Sequence, residues 1–426
     1  MASPELLQAL LDAADSSSTK KAQIYSDVLS QVINHTSSST EQQSANLISY
    51  VDSLLSSGLG VINIRLLLAN LIQSLNTASS TVQVQVGAHI VEALQPQIAS
   101  FEEQDATIRE ILANGYEAEE DYSQAAKALQ GIHLDTTQRQ ITEIAKVQVY
   151  IRIVRYYLED DDTVSAETAL NRIKNSSGAS QVLNNSPDLQ LHFQLSQARI
   201  HDAKRDFLNA SSEYLNVSLN SSVAEEDRLQ ALSAGIKTAI LAPAGPARSR
   251  TLGKLYKDER ATETGEYGIL ENMFLDRLLA PEEVDAFAAT LAPHQLAVTA
   301  DGSTVLSKAV VEHNLLAASR LYENISTTSL ASILGLKDSG DETAAEKAQD
   351  YAARMVEQGR LRGAIDQING IIIFETAPGV DLIGPNRELR IWDTGVQGLI
   401  ESVEKVAAAI SESFPVSQHG NDLTLH

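Results

Sequence analysis

Three segments of the chain repeat one side-chain spacing, and that repetition restricts the fold more than any other feature. Tyr122, Ala125, Leu129 and Ile132 stand at offsets of 0, 3, 7 and 10. The same offsets hold for Thr163, Ala166, Leu170 and Ile173, and again for Phe207, Ala210, Tyr214 and Val217. Spacings of three and four place all four residues on one face of an α-helix. The copies lie 41 and 44 residues apart, the length of one helix pair, and the small residue at the second place lets a neighbouring helix approach closely. Such a unit buries its apolar face only by stacking on the next one. The spacing therefore predicts a helical-repeat solenoid with an extended surface.

Helical periodicity extends to both sides of these copies. Leu6, Leu7, Leu10 and Leu11 form one apolar stripe, and Ile24, Val28, Leu29 and Val32 form the next. Thr40-Glu41-Gln42-Gln43 reads as a capping box, with the Thr40 hydroxyl on the third amide and Gln43 reaching back. Ile48, Val51, Leu54 and Leu55 continue the buried face, and helix follows helix to about residue 290. The pattern changes near residue 327. A short helix carries Ser329, Leu330, Ile333 and Leu334, capped by Thr328 and stopped by Gly335. A second carries Ala348, Tyr351, Ala352, Met355 and Val356 and ends at Gly359. Two β-prone runs, 363–368 and 371–374, follow, joined by Asn369-Gly370, which suits a two-residue type I′ turn. Helix, helix, hairpin is the order of a winged helix. Beyond the punctuation of Pro378, Gly379, Gly384 and Pro385, seven residues alternate spacings of three and four: Leu389, Trp392, Val396, Leu399, Val403, Val406 and Ile410. That is a coiled-coil-type seam in need of a partner helix.

The fold class expected is mainly α. Residues 1–195 form an N-terminal repeat solenoid and 196–376 form a second domain, with a helical part at 196–325 and a winged helix at 326–376. Residues 377–414 form a linker and bundle helix, and 415–426 a disordered tail.

Composition and motifs exclude most chemistry. Cysteine is absent, so disulfides, thiolate metal sites and cysteine nucleophiles fall away together, as suits a reducing compartment. The nine histidines show no metalloprotease spacing, Gly58-Leu59-Gly60 lacks the third glycine of a dinucleotide loop, and no P-loop or nucleophile elbow occurs. His201 beside Asp202 has no nucleophile near it and reads as a solvated or locally hydrogen-bonded histidine, and Glu159 to Asp162 reads as a solvated helix-to-helix turn. No metal, cofactor or catalytic residue is expected. A formal charge of −24 opposes phosphate binding, and the second helix of the winged helix and its approach set Asp341, Glu342, Glu346, Asp350 and Glu357 against Lys347 and Arg354. Neither nucleic acid nor membrane is expected as a partner, since 54–72, the most apolar stretch, is broken by Asn63, Arg65 and Asn70, and the N-terminus lacks a signal-peptide pattern. The residues describe a scaffold rather than a catalyst.

Helical repeats leading into a winged helix resemble the PCI-domain family of the proteasome lid, the COP9 signalosome and translation initiation factor three. Three stretches look most like the signalosome branch. They are Arg248-Ser249-Arg250-Thr251-Leu252 with Lys257-Asp258-Glu259-Arg260, then 311–316 (Val-Glu-His-Asn-Leu-Leu), then Glu357-Gln358-Gly359-Arg360 with 365–371. The resemblance covers most of the chain and is strongest from about 230 to 376, with departures in the polar insert 337–343 and the tail after Pro415. It implies a noncatalytic subunit of the complex that removes Nedd8 from cullins, with the isopeptidase in a partner metalloprotease subunit, in cytoplasm and nucleus. It further implies that the N-terminal repeats reach toward a cullin–RING ligase, and that winged helices meet edge to edge through Ile365, Ile371 and Ile373. C-terminal helices would gather in a bundle. The segment 292–303, with Pro293, His294, Asp301 and Gly302, is implied to be a flexible loop touching the metalloprotease pair. A related proteasome-lid subunit is the alternative, and an mRNA-export or DNA-associated PCI protein a more distant one.

Overall fold

The computed structural model describes residues 18–34, 39–134, 141–176, 178–298, 303–338 and 342–375, together with 399, 402, 403, 405 and 406. The chain divides into two compact units, residues 1–310 and 311–426. The Leu6–Leu11 stripe lies outside the described residues.

The first unit begins with α1 Ser18–Asn34, α2 Thr40–Ser56, α3 Val61–Leu75, α4 Ser80–Leu94 and α5 Glu102–Ala118. Val28, Leu29, Val32, Val51 and Leu54 are buried in one core with Leu67, Leu68, Leu71 and Ile90, as the stripes predict. The α2 cap sits one residue earlier than expected. Ser39, not Thr40, is the N-cap and accepts from the Gln42 amide at 3.4 Å. Two adjacent hydroxyl residues compete for the place, and the one with extended backbone takes it.

The repeat copies follow: α6 Tyr122–Gln130, α7 Glu143–Glu159, α8 Thr163–Asn175, the short α9 Ala179–Asn185, α10 Pro187–Ala203 and α11 Phe207–Ser218. Every copy opens the second helix of a pair, and the three turns into them are built alike. Glu120, Asp161 and Arg205 adopt positive φ values of 60°, 57° and 63°. The next residue is Asp each time, and its amide donates back along the chain: Asp121 to the Tyr116 carbonyl and Asp162 to the Tyr157 carbonyl at 2.9 Å, Asp206 to the His201 carbonyl at 2.8 Å. This is a Schellman closure of the first helix. The same aspartate is the N-cap of the second helix, and Asp121 and Asp162 accept from the Gln124 and Ser165 amides. Those Ser165 bonds, side chain first and then amide, hold the Asp162 carboxyl below the usual carboxylate range. One residue ends one helix and starts the next, which explains the left-handed backbone at non-glycine positions and the acidic run 159–162.

Ala125, Ala166 and Ala210 are fully buried at the second place of each copy. α12 Glu225–Leu241 packs on α11 through Gly235, where an added Cβ would meet the Tyr214 Cβ at 3.4 Å. Ser211 Oγ donates to the Gly235 carbonyl at 2.8 Å. Successive pairs are also tied by side chains: Tyr156 donates to Glu117 at 2.5 Å, and Arg199 and Lys204 reach Glu159 and Glu167 at 2.7 Å. Enlarging Ala210 to leucine should overpack its contact with Ala198 and Tyr214 and cost about 1–3 kcal/mol. Urea unfolding of the purified chain reads this directly, and an unmoved midpoint would show slack between the helices. The unit closes with α13 Pro246–Tyr256, α14 Tyr267–Phe274, α15 Pro281–Ala288 and the first part of α16 Val305–Leu321.

The second unit continues α16 into β1 Asn324–Ser326, α17 Thr327–Ile333, α18 Ala344–Glu357, β2 Gly363–Asp366 and β3 Ile371–Phe374. The winged helix is present, with a three-stranded antiparallel sheet in the order β1-β3-β2. Its core joins Leu330, Ala348, Ala352, Met355, Ile372 and Phe374, all buried. Gly335 and Gly359 stop α17 and α18 at φ of +66°, as predicted. Two local expectations are corrected. Ser326, not Thr328, caps α17, accepting from the Ser329 amide at 3.2 Å. The hairpin is not a two-residue type I′ turn: Asp366 pairs with Ile371, so four residues connect the strands. The Asp366 carboxylate accepts from the Ile368 and Asn369 amides at 3.1 Å, which organises a longer turn and leaves positive φ to Gly370 alone.

Candidate functional site

The chain between α15 and α16 is a built strap rather than a plain linker. Ala292, Pro293 and Gln295 nucleate one 3-10 turn, Pro293–Leu296, with proline in the first turn where its missing N–H costs nothing. Gln295 is buried, and its Oε1 accepts from the Ala292 amide at 3.2 Å. Its Nε2 donates to both carboxylate oxygens of Asp202, at 3.1 and 2.9 Å. His294 Nε2 stands 3.3 Å from Asp202 Oδ2. Asp202, one residue from the end of α10, is only 6% exposed, so its charge needs these donors. Beyond the turn, Val298 bridges to Thr304, and the Val305 amide donates to the Ala297 carbonyl at 3.3 Å. Two cavities of about 540 and 410 Å³ flank the contact, and Asp202, Tyr214 and His294 line both. Burial, and then the charge of Asp202, raises the Tyr214 phenol above the ordinary tyrosine range.

The expected flexible loop is thus corrected in its first half: Pro293 and His294 lie in an anchored turn, while Asp301 and Gly302 lie outside the described residues. His201 is locally hydrogen-bonded, as the sequence reading has it, and does not act with Asp202. His201 Nδ1 stands 3.1 Å from Asp206 Oδ2, across the repeat turn, and Asp202 serves the strap. Adjacent residues on a helix point about 100° apart, so neighbours in sequence answer to different surroundings.

On the winged helix, β3 is central and its far edge is covered by β1, a strand too short to announce itself by alternation. Ile371 and Ile373 therefore offer no edge of their own. Ile373 instead presents its side chain, 48% exposed, on the outer face, with Asn324 and Ala364 as cross-strand neighbours. Ile365 belongs to β2, whose outer edge ends the sheet order. In the C-terminal seam, Leu399, Val403 and Val406 are 68%, 60% and 59% exposed. Leu389, Trp392, Val396 and Ile410 lie outside the described residues.

The stretches that carry the family resemblance turn out to be internal clamps. Arg260 holds Asp258 through Nε at 3.0 Å and Nη2 at 2.6 Å, and reaches the Ser218 carbonyl at 2.7 Å, closing the end of α11. The Arg260 side chain, with burial opposing, keeps the Asp258 carboxyl below its usual range. Arg248 is 3% exposed and donates to the Ala242 carbonyl at 3.3 Å. Glu312, His313 and Asn314 are all buried on α16, and Arg360 forks onto Glu312. Among the described residues, no cluster of three or more His, Asp or Glu is placed to hold a metal, and no helix is long and apolar enough to cross a membrane.

Stacked helix pairs, a winged helix and an exposed apolar helical face define a scaffold of the PCI class. Residues 271–376 match the PCI domain family, and residues 5–226 match the family described as PSMD12/CSN4, N-terminal. The chain is 58% identical to COP9 signalosome complex subunit 4 of Emericella nidulans, over 98% of this chain and 100% of that one. It is 47% identical to the same subunit of Neurospora crassa, covering 87% and 88%, and 38% identical to that of Dictyostelium discoideum, covering 92% and 93%. The chain belongs to the COP9 signalosome subunit 4 family.

Proposed function

We propose that this chain is a noncatalytic scaffold and substrate-recognition subunit of the COP9 signalosome, the assembly that removes Nedd8 from the cullins of cullin–RING ubiquitin ligases. The observation that carries the reading is full-length similarity to subunits of that name, the Emericella nidulans protein above all. The fold supplies the means. Repeats 1–195 are the arm for the cullin–RING ligase, and the winged helix at the end of 196–376 meets other PCI subunits. The C-terminal helix enters a bundle of subunit helices, and the 292–303 segment faces the metalloprotease pair, in cytoplasm and nucleus alike. A net charge of −24 makes encounter with basic ligase surfaces fast and salt-sensitive.

Mass spectrometry of what co-purifies with the tagged chain tests this. Signalosome subunits should appear in equal amounts, and neddylated cullin should be cleaved by the reconstituted complex but not by the chain alone. Recovery with proteasome-lid subunits, or cleavage by the isolated chain, would overturn the reading.

A further inference from the structure

We infer that Asp202 is a latch for the strap Pro293–Val298, and that its bond to Gln295 sets how readily the strap lifts from α10. The inference rests on the reading above only for what the strap touches; the latch itself stands on geometry. Residues 93 positions apart meet at one buried carboxylate, whose two oxygens both accept from a single neutral amide, with His294 beside it. The strap is also held by Leu296, packed against the core of the unit, and by backbone at its far end, the Val298–Thr304 bridge and the Ala297–Val305 bond. Cavities of about 540 and 410 Å³ on either side of Asp202 leave room for the turn to shift. The outward side of the strap is accessible, with Val298 62% exposed and the His294 side chain 43% exposed. A partner that grips those residues therefore pulls against the bonds at Asp202 and the packing of Leu296. Asp202 acts through Gln295 and is a positioning residue.

Gln295→Glu isolates this contact. The new carboxylate still accepts from the Ala292 amide, so the turn keeps its internal bond, while the donor to Asp202 becomes a like charge. Hydrogen exchange on the full chain should quicken at least 10-fold at the Gln295, Leu296 and Ala297 amides, whose bonds lie within the strap, and stay unchanged along α10 and α11. Adding Asp202→Asn reverses donor and acceptor, since the amide introduced at position 202 can donate to the carboxylate introduced at position 295. The double variant should restore slow exchange. In the reconstituted complex, basal deneddylation should shift at least twofold with Gln295→Glu and return in the double variant. Unchanged exchange in Gln295→Glu, or no rescue by the swap, would overturn the latch. Faster exchange with unaltered deneddylation would overturn its regulatory role. Failure of the wild-type chain to assemble at all would refute the proposed function instead, leaving the exchange result standing.

Discussion

Arg360→Ala should unfold the winged helix well before the repeats. Gly359, in the left-handed conformation, turns the chain at the end of α18 so that Arg360 points back to α16. Its Nη1 and Nη2 fork onto the two carboxylate oxygens of Glu312, the second at 2.9 Å, while Nε holds the Gln358 side chain at 2.8 Å. The Glu312 side chain is 4% exposed and that of Arg360 18%. A surface pair of this kind would be worth a few tenths of a kcal/mol. Here truncating one partner removes two charge-assisted bonds from a buried carboxylate, and breaking a buried pair costs about 3–5 kcal/mol. The expected result is a separate early transition in urea, with β2 and β3 amides exchanging first. Glu312→Leu with Arg360→Met removes both charges and should regain most of the loss. Coincident unfolding of both units in Arg360→Ala would show that the pair contributes little. Equal damage in the double variant would show that packing, not charge, holds these elements.

Much of this architecture was legible because it is periodic. The offsets 0, 3, 7 and 10 located three helices correctly because each copy buries the same face, and the alanine in each marks where the next helix comes closest. Even the turns were written in the sequence: Glu120-Asp121-Tyr122, Asp161-Asp162-Thr163 and Arg205-Asp206-Phe207 share one aspartate at one place. The turn at 159–162 is readable as such, but the shared aspartate is not, because a Schellman closure and an N-cap each tolerate many residues and only their coincidence in Asp is telling. The differences were of three kinds, one of them the hairpin, where Asp366 organises a four-residue connection in place of the two-residue turn that Asn369-Gly370 suggests. Caps slipped by one or two residues, at Ser39 and Ser326, where neighbouring hydroxyls are chemically equivalent and backbone angles decide. The strap and β1 escaped because neither has a local signal. A three-residue strand cannot show alternation, and no spacing rule connects Gln295 to Asp202. The proline and glycine of 292–303 mark a connection between helices, but nothing in them points to the carboxylate of Asp202 that anchors its first turn.

Leu399→Asp with Val403→Asp should release the chain from its assembly without unfolding it. The three described seam residues are apolar and more than half exposed, at spacings of four and three, which makes a stripe along one helical face. Apolar stripes this regular are rarely left in water, because each leucine or valine buried against a partner contributes about 1.5–3 kcal/mol before the cost of docking. Two aspartates remove that gain and would also place carboxylates in the seam, where burial without partners is costly. Since about 1.4 kcal/mol is tenfold in affinity, a combined loss of several kcal/mol is roughly a thousandfold and exceeds what other contacts can restore at working concentrations. Val164→Asp is the matching control: it lies on α8, is 74% exposed, and belongs to no such stripe. Circular dichroism of both variants should overlay on the parent, because the helical signal comes chiefly from the buried repeats. On gel filtration of the reconstituted complex, the seam variant should elute as free chain and the Val164 variant with the assembly. Retention of the seam variant at parental stoichiometry would place the docking energy elsewhere, on the β2 edge or the outer sheet face around Ile373. Loss of helical signal would show instead that the stripe serves this chain's own fold.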